Sequence, residues 1–278
     1  MCMGFGCNAA GVIGCRIIDS PRERLIAILT NSLVPCNGRF PTMIVLITLF
    51  FAGGAASSLR AAALLTLLVL LGVALTFLVS RLLSATILKG VPSSFTLELP
   101  PYRLPRFGEV LVRSVLDRTL FVLLRAVKAA APAGLLIWLL ANIPAGGAPL
   151  LSTLCHILDP LGKALGLDGA ILLAFLLGLP ANEIVIPAML MCYLSAGSLT
   201  DYGSLTQLHQ LLLANGWTGV TAVCMLLFTL LHWPCATTLM TIRKESGSRA
   251  YTLLAAAIPT VCGVVLCMTV RFLSRLWS

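Results

Sequence analysis

One stretch of the chain, residues 170–192, is apolar throughout except for Asn182 and Glu183. Pro180 lies just before this pair and Pro187 follows it. An ionisable side chain at bilayer depth is costly, so it faces a cavity or a partner and often marks a transport route. Pro180 cannot continue a helical hydrogen-bond ladder, and a broken helix survives at that depth only where protein or water covers the freed backbone groups. The stretch therefore predicts a broken helix with a buried carboxylate that binds a cation.

The composition places this stretch in a membrane protein. Of the 278 residues, 59% are hydrophobic and 10% are charged, whereas soluble domains carry roughly 25% charged residues. The net charge of +9 comes from Lys and Arg at junctions between apolar runs, which is the pattern of cytoplasmic loops and does not indicate nucleic-acid binding. These properties predict an all-α fold: a polytopic transmembrane helical bundle with broken or re-entrant helices and interfacial amphipathic helices.

The apolar runs predict where the chain crosses the bilayer. Spanning helices are expected at about 41–56, 59–83, 129–143, 218–240 (interrupted at 232–235) and 251–270. Ser20, Pro21 and Glu23 form an N-terminal capping signature, so residues 20–34 are predicted to be a short interfacial helix.

Two further amphipathic stretches and a short helix complete the prediction. A proline-rich elbow at 98–105 precedes an amphipathic stretch that begins at Arg106, and residues 149–166 form another amphipathic piece. Residues 204–214 are predicted to be a short helix with one polar side.

Three basic segments, 16–39, 81–128 and 243–249, all favour the cytoplasmic side. If successive spans simply alternate in direction, the first two basic segments lie in the cytoplasm and the third lies outside. A re-entrant or discontinuous segment around Pro180 resolves the conflict, so that topology is preferred.

Three other helix breaks carry a cysteine, at residues 4–8, 35–41 and 233–238. Unwound carbonyls at such breaks are usual cation ligands in transporters, and a thiol shifts the preference towards a softer transition metal. The candidate metal ligands are Cys7, Cys36, Cys235 and Glu183, with Asn182 and His232 as further candidates. The alternatives are that Cys7 and His232 only pack and that Asn182 only hydrogen-bonds between helices. Cys36 would then be an unused thiol in a loop, and Glu183 would be stabilised by the helix dipole in the first turn after Pro180.

These segments resemble the membrane domain of the FeoB ferrous iron transporters. The matching stretches are 4–8 (Gly-Phe-Gly-Cys-Asn), 18–24, 98–103, 178–187 (Gly-Leu-Pro-Ala-Asn-Glu-Ile-Val-Ile-Pro), 232–238 (His-Trp-Pro-Cys-Ala-Thr-Thr) and 243–247. The resemblance implies transport of Fe²⁺ across the bacterial cytoplasmic (inner) membrane. It also implies that Cys7, Cys36 and Cys235 bind or pass iron, and that Glu183 is the acidic residue of the family's gate-like segment.

The resemblance also implies an organisation and a set of partners. Residues 1–278 are expected to form a single permease domain, with FeoB C-terminal-type helices at 1–97, a gate-like region at 98–196 and C-terminal helices at 197–278. FeoB chains begin with a G domain that carries a G-x-x-x-x-G-K-[ST] loop, and no such loop occurs in this sequence. The chain is therefore expected not to be an enzyme. Its expected partners are Fe²⁺, as substrate rather than resident cofactor, membrane lipid, a separate G domain or GTPase, and small accessory subunits. Nucleic acid is not expected, and homo-oligomerisation stays open.

Two other functions remain open at this point. The gate-like region is also labelled as nucleoside recognition, so a nucleoside or small-solute transporter is one alternative, with Phe5, Phe228 and Trp233 as its stacking aromatics. A non-transporting membrane scaffold for a separate GTPase is the other, with the basic stretch 103–128 as its docking face.

Overall fold

The computed structural model describes most of the chain, in several ranges. These are residues 2–52, 57–86, 88, 108, 112, 120–145, 148–195, 197–199 and 203–276. The predicted elbow at 98–105 and most of the amphipathic stretch after Arg106 lie outside the described residues.

Helices dominate the described ranges, which confirms the all-α prediction. The helices are α1 (Cys2–Gly6), α2 (Asn8–Gly14), α3 (Pro21–Thr30), α4 (Phe40–Phe50), α5 (Ser57–Ala85), α6 (Phe121–Asn142), α7 (Leu150–Leu165), α8 (Gly169–Leu177), α9 (Val185–Leu194), α10 (Leu205–Ala214), α11 (Gly219–Leu231), α12 (Ala236–Ser246) and α13 (Arg249–Leu276). Short 3₁₀ turns occupy Cys15–Ile17, Asn31–Leu33, Asn37–Arg39 and Asn182–Ile184. A two-residue antiparallel pairing joins β1 (Pro144–Ala145) to β2 (Ala148–Pro149).

Four segments of the described chain are long and apolar enough to cross a membrane. They are Pro21–Phe50, Ser57–Ala85, Gly219–Ser246 and Arg249–Leu276. A fifth is possible in length and composition if α7 and α8, which bend by 106° between them, count as one span. The apolar part of α6, Ala130–Asn142, falls short of the roughly 20 residues that a spanning helix needs, so the expected span at 129–143 is not found as such.

The interfacial helix expected at 20–34 is instead the first half of a broken span. Ser20 does cap α3, since its Oγ accepts a hydrogen bond from the Glu23 N–H at 3.4 Å. The helix then buries Ile28 and Leu29 completely and continues, after a break, into α4. A capping signature marks where a helix begins but carries no information about its depth in the bilayer, which explains the error.

α8 and α9 form an antiparallel hairpin whose turn contains Pro180. At its open end the Tyr193 hydroxyl donates a hydrogen bond to Asp168, the residue that caps α8 by accepting from the Ile171 N–H at 2.7 Å. Trp217 fixes Tyr193 from outside the hairpin, because its indole N–H donates to the Tyr193 oxygen at 2.8 Å. The prediction of a broken helix at Pro180 is therefore confirmed, and the two halves fold back on each other.

Two contacts bring distant basic segments to one face of the bundle. Arg16 forms an ion pair with Glu245 at 2.6 Å, which joins the end of the N-terminal helices to the end of α12. Arg22 lies 3.4 Å from the Ser84 carbonyl oxygen, so the end of α5 is at this face too. α5 ends at this face and the α11–α12 span also ends there, so residues 86 and 219 lie at opposite ends of the bundle. Residues 243–249 thus share a face with residues 16–24, as the preferred topology requires.

Candidate functional site

Three interruptions of the apolar helices meet inside the bundle. They lie at residues 34–36, 178–181 and 232–235, and each contains a proline. Proline lacks an N–H and its ring clashes with the preceding helical turn, so each helix must stop and leave backbone groups without helical partners. One pair of these groups joins two breaks directly, since the Ala236 N–H donates to the Leu179 carbonyl at 2.8 Å. The breaks therefore support one another and define a single site.

Asn182 lies between two other predicted metal ligands, Cys36 and His232, which the helix breaks bring close together. Its amide nitrogen lies 3.9 Å from the Cys36 sulfur, and its amide oxygen lies 3.2 Å from Nε2 of His232. Exposed fractions are only 8% for Cys36, 7% for Asn182 and 1% for His232. Thus three residues that are far apart in the sequence form one buried thiol–amide–imidazole chain.

The backbone fixes which nitrogen of His232 is available. Nδ1 lies 3.1 Å from the Phe228 carbonyl oxygen and 2.9 Å from that of Thr229. Carbonyls only accept hydrogen bonds, so Nδ1 carries the proton and the lone pair of the neutral ring is on Nε2. An N–H held by a carbonyl is the usual way in which a protein orients a metal-binding imidazole.

Nε2 of His232 and Oδ1 of Asn182 are therefore two acceptors facing each other across 3.2 Å. Rotating the amide by 180° would relieve this contact by presenting its NH₂ group to the imidazole. A shared divalent cation would relieve it as well, because two adjacent ligands with bonds of about 2.1 Å lie about 3 Å apart. The geometry is compatible with a cation bound by both side chains.

Glu183 does not have the buried carboxylate that its sequence position predicts. Its side chain is exposed, whereas that of Asn182 beside it is buried. The 3₁₀ turn Asn182–Ile184 directs the two neighbours differently, and the carboxylate lies against the backbone of Gly38, where a Cβ atom would be 2.8 Å from Oε1. Glu183 thus borders the site from its exposed side.

Cys235 is half-buried at the N-terminus of α12. Its sulfur lies 3.1 Å from the hydroxyl oxygen of Thr237 and 3.2 Å from that of Thr238. Helix α12 rises about 15 Å between Cys235 and Glu245, and this is half of the roughly 30 Å hydrocarbon core. If Glu245 is at the membrane surface with Arg16, Cys235 and the breaks lie near the middle of the bilayer.

Cys7 stands apart from the other five predicted ligands in the described ranges. It is exposed and precedes the first residue of α2. α2 packs beside α12, and the Arg16–Glu245 pair joins the ends of both helices. Cys7 and Cys235 therefore begin neighbouring, parallel helices, but the structure does not bring Cys7 into the buried chain around Asn182.

Arg39 is the residue of the site that sequence reasoning missed. The sequence assigned it to a cytoplasmic basic segment, but its side chain is fully buried. One terminal nitrogen donates to the carbonyls of Ser32 and Leu230 at 3.1 and 2.7 Å. The other donates to those of His232 and Trp233 at 2.9 and 3.4 Å. Carbonyls freed at the helix breaks thus solvate the guanidinium, and Arg39 would have stood out once residues 21–50 were read as one span.

The described ranges contain no group of three or more His, Cys, Asp or Glu side chains close enough to hold a metal ion. Cys36 and His232 are joined instead by an amide, with Glu183 and Cys235 at the edges. The assignment of metal ligands stays a prediction.

The fold and the site define a class: a multi-pass helical membrane protein in which broken helices meet around polar and thiol groups at bilayer depth. Sequence comparison is more specific. Residues 65–117 match the family profile described as "Ferrous iron transport protein B C terminus", and residues 123–249 match the profile described as "Nucleoside recognition".

The chain is similar, over nearly its whole length, to the C-terminal membrane part of the FeoB family of ferrous iron transporters. It is 31% identical over 276 residues to the Fe(2+) transporter FeoB of Staphylococcus aureus strain COL, covering 96% of this chain and 39% of the relative. The FeoB of Methanocaldococcus jannaschii is 27% identical over 290 residues, 99% of this chain and 41% of the relative. A Porphyromonas gingivalis relative named as a fusion of Fe(2+) transport protein A with FeoB is 26% identical over 88% of this chain and 34% of the relative. The chain thus spans about two fifths of the length of these relatives. No solved structure matches it.

Proposed function

We propose that this chain is the ion-permeation part of a FeoB-type Fe²⁺ transporter in the bacterial cytoplasmic membrane. The observation that carries the proposal is the convergence of Cys36, Asn182 and His232 where three helix breaks meet. The names of the similar proteins supply the identity of the ion.

The chemistry of the site suits a borderline-soft divalent cation in transit. Sulfur from Cys36, nitrogen from His232 and oxygen from Asn182 are ligand types that first-row transition metals accept. Glu183 at the exposed edge offers a carboxylate that offsets part of the incoming charge. Conduction needs a site that binds strongly enough to admit the ion and weakly enough to release it, and a few dispersed ligands meet that need better than a closed cage does. In this proposal Fe²⁺ is the substrate, and the chain has no catalytic residue and no resident cofactor.

Partners are part of the proposal. One relative is named as a fusion of a transport protein A with FeoB, which supports a small accessory subunit. A G domain or separate GTPase would supply nucleotide hydrolysis, and lipid covers the exposed apolar faces of α5 and α13. The basic stretch 103–128 is the proposed docking segment for the GTPase.

A nucleoside transporter is the second candidate, because the profile that matches residues 123–249 is described as nucleoside recognition. Stacking of a base needs an open aromatic face. Phe228 is only 1% exposed and packs edge-on against Phe175 with ring centroids 4.9 Å apart. Trp233 also meets Phe228 edge-on, at 5.9 Å. Phe228 therefore fills the core. Trp233 is half-buried and lines a cavity whose other lining residues are all apolar except Thr260, so the geometry favours the ion over a polar nucleoside.

Anaerobic Fe²⁺ binding to the detergent-purified chain tests the proposal. Glu183→Gln and Cys235→Ser should each weaken binding by about tenfold or more. Cys155→Ser in α7, which packs against Gly169 at the end of α8 opposite the break, should leave it unchanged. Unchanged binding in both site variants would place the ion elsewhere. No binding by the wild type would show that this chain alone forms no Fe²⁺ site, and saturable binding of a tritiated nucleoside in its place would favour the second candidate.

A further inference from the structure

A permanent positive charge lies beside the proposed ion site. Arg39 follows Cys36 in one 3₁₀ turn, and its backbone N–H donates to the Cys36 carbonyl at 2.9 Å. Its guanidinium donates to the carbonyls of His232 and Trp233, the two residues before Pro234 in the third break. A guanidinium does not lose its proton in proteins, so this charge is present whenever an ion arrives.

No carboxylate in the described ranges lies within ion-pair distance of Arg39. Only the partial charges of four backbone carbonyls solvate it. Burying a charge without a charged partner is unfavourable. Neutral hydrogen-bond donors would be enough to hold the carbonyls of the helix breaks together, a role that we call the clamp. Because the buried charge of Arg39 is costly and the clamp does not require it, the charge calls for another role.

Arg39 takes the carbonyls that a permeating cation would otherwise use. Freed carbonyls at broken helices are typical cation ligands in transporters, and here the carbonyls of Leu230 and His232 already accept from the guanidinium at 2.7 and 2.9 Å. A divalent ion at Cys36 and His232 therefore competes with the guanidinium for these carbonyls and lies next to a charge of its own sign.

We infer that Arg39 acts as a resident cation that weakens Fe²⁺ binding at the helix breaks and so hastens its release. The inference rests on the proposed function, and it makes Arg39 a positioning and affinity-setting residue, not a ligand. Electrostatic repulsion inside a protein is strong enough to change affinity greatly, and a site that conducts must release its ion.

The charge and the clamp predict opposite effects on Fe²⁺ affinity. If Arg39 only held the breaks in place, neutralising it would loosen the site and weaken binding. If its charge sets affinity, Arg39→Gln should bind Fe²⁺ more tightly, because glutamine is neutral and still offers amide donors to part of the carbonyl set.

The experiment compares wild type, Arg39→Gln and Arg39→Lys as full chains in detergent under anaerobic conditions. Fe²⁺ affinity is measured at equilibrium, and dissociation is followed by stopped-flow mixing with a chelator. Arg39→Gln should lower the dissociation constant by about tenfold or more, mainly through slower dissociation. Arg39→Lys, which keeps the charge, should stay within about threefold of wild type. Arg249→Gln, which removes an exposed charge at the start of α13, is the matched control and should change nothing.

A second variant covers the chance that Arg39→Gln does not fold. Ser32 is fully buried, its hydroxyl has no hydrogen-bond partner and its carbonyl accepts from Arg39. Ser32→Asp supplies a counter-charge and keeps the guanidinium clamp, so it too should tighten Fe²⁺ binding. Equal or weaker binding in the folded neutralised variants, with wild type binding normally, overturns this inference alone. Absence of Fe²⁺ binding in wild type and all variants overturns the proposed function, and this inference with it.

Discussion

Gly38 determines where the Glu183 carboxylate can lie. A Cβ atom at position 38 would be 2.8 Å from Oε1 and 3.1 Å from Cδ of Glu183, and 3.7 Å from Cβ of Asn182. Both sides of this contact lie in 3₁₀ turns, Asn37–Arg39 and Asn182–Ile184, so the close approach holds two of the three breaks in register. The missing side chain at residue 38 thus lets the Glu183 carboxylate lie against the 3₁₀ turn that follows Cys36.

Gly38→Ala should therefore weaken Fe²⁺ binding while the fold survives. The atoms that the new methyl group meets are the end of a flexible side chain, which can rotate away, so the free energy of unfolding should change by less than about 1 kcal/mol. Displacing the carboxylate should raise the Fe²⁺ dissociation constant by several fold. Isothermal Fe²⁺ titration and a thermal melt of the same sample measure both quantities. Gly219→Ala is the control, because nothing lies within 4 Å of a Cβ at that position. Wild-type affinity in Gly38→Ala would mean that Glu183 does not act on the ion from this place.

At the scale of elements, the 106° bend between α7 and α8 depends on two glycines. A Cβ on Gly169 would be 1.9 Å from the Cys155 carbonyl oxygen and 2.8 Å from the Asp159 backbone nitrogen. A Cβ on Gly162 would be 2.4 Å from the Asp168 carbonyl carbon. The two helix backbones touch directly, which allows Asp168 to cap α8 and bond Tyr193 at the same time.

Gly169→Ala should destabilise the bundle strongly. The clash is with backbone, which cannot rotate aside, and overpacking of this kind costs about 1–3 kcal/mol or more. Gly134→Ala in α6 is the matched control, since its Cβ would have open space around it, and alanine in a helix interior is favoured over glycine by about 1 kcal/mol. Thermal unfolding in detergent should show a lower midpoint for the first variant and an equal or higher midpoint for the second. Equal midpoints would mean that α7 and α8 do not cross this closely.

Elements with a local signal could be predicted from the sequence. The spans Ser57–Ala85 and Arg249–Leu276 follow from apolar length, and the breaks at Pro180 and Pro234 follow from proline chemistry. The joining of α3 to α4 as one span could not be predicted, because its central break is stabilised by Arg39, whose partners Leu230 and His232 lie nearly two hundred residues away.

The candidate site likewise has residues that the sequence could single out and others whose placement it could not predict. Cys36, Asn182 and His232 were singled out because each sits at a break, and the structure places them together. The exposure of Glu183 and the separation of Cys7 depend on how the hairpin and α2 pack, and such long-range packing leaves no periodic mark in the sequence.

At the scale of the whole molecule, three basic segments of the chain mark one of the two faces of the bundle. Arg16, Arg22 and Glu245 mark one face by their contacts, and the basic segment that contains Arg243 and Lys244 lies there with Glu245. The positive-inside rule assigns this face to the cytoplasm. The opposite face carries the turn between α10 and α11, near residues 215–218, where no Lys or Arg occurs.

Labelling of single introduced cysteines with a membrane-impermeant maleimide tests this topology. Ala250 and Ala214 are both exposed alanines, one beside the basic segment and one at the end of α10. We expect Ala250→Cys to react only after the membrane is inverted or opened, and Ala214→Cys to react in intact spheroplasts, because the α11–α12 span separates the two positions. The unaltered chain, labelled in parallel, measures the background from its native thiols. Reaction of both introduced thiols from the same side would contradict a single crossing by the α11–α12 span. Reaction from opposite sides, with Ala250→Cys outside, would keep the fold and reverse its orientation.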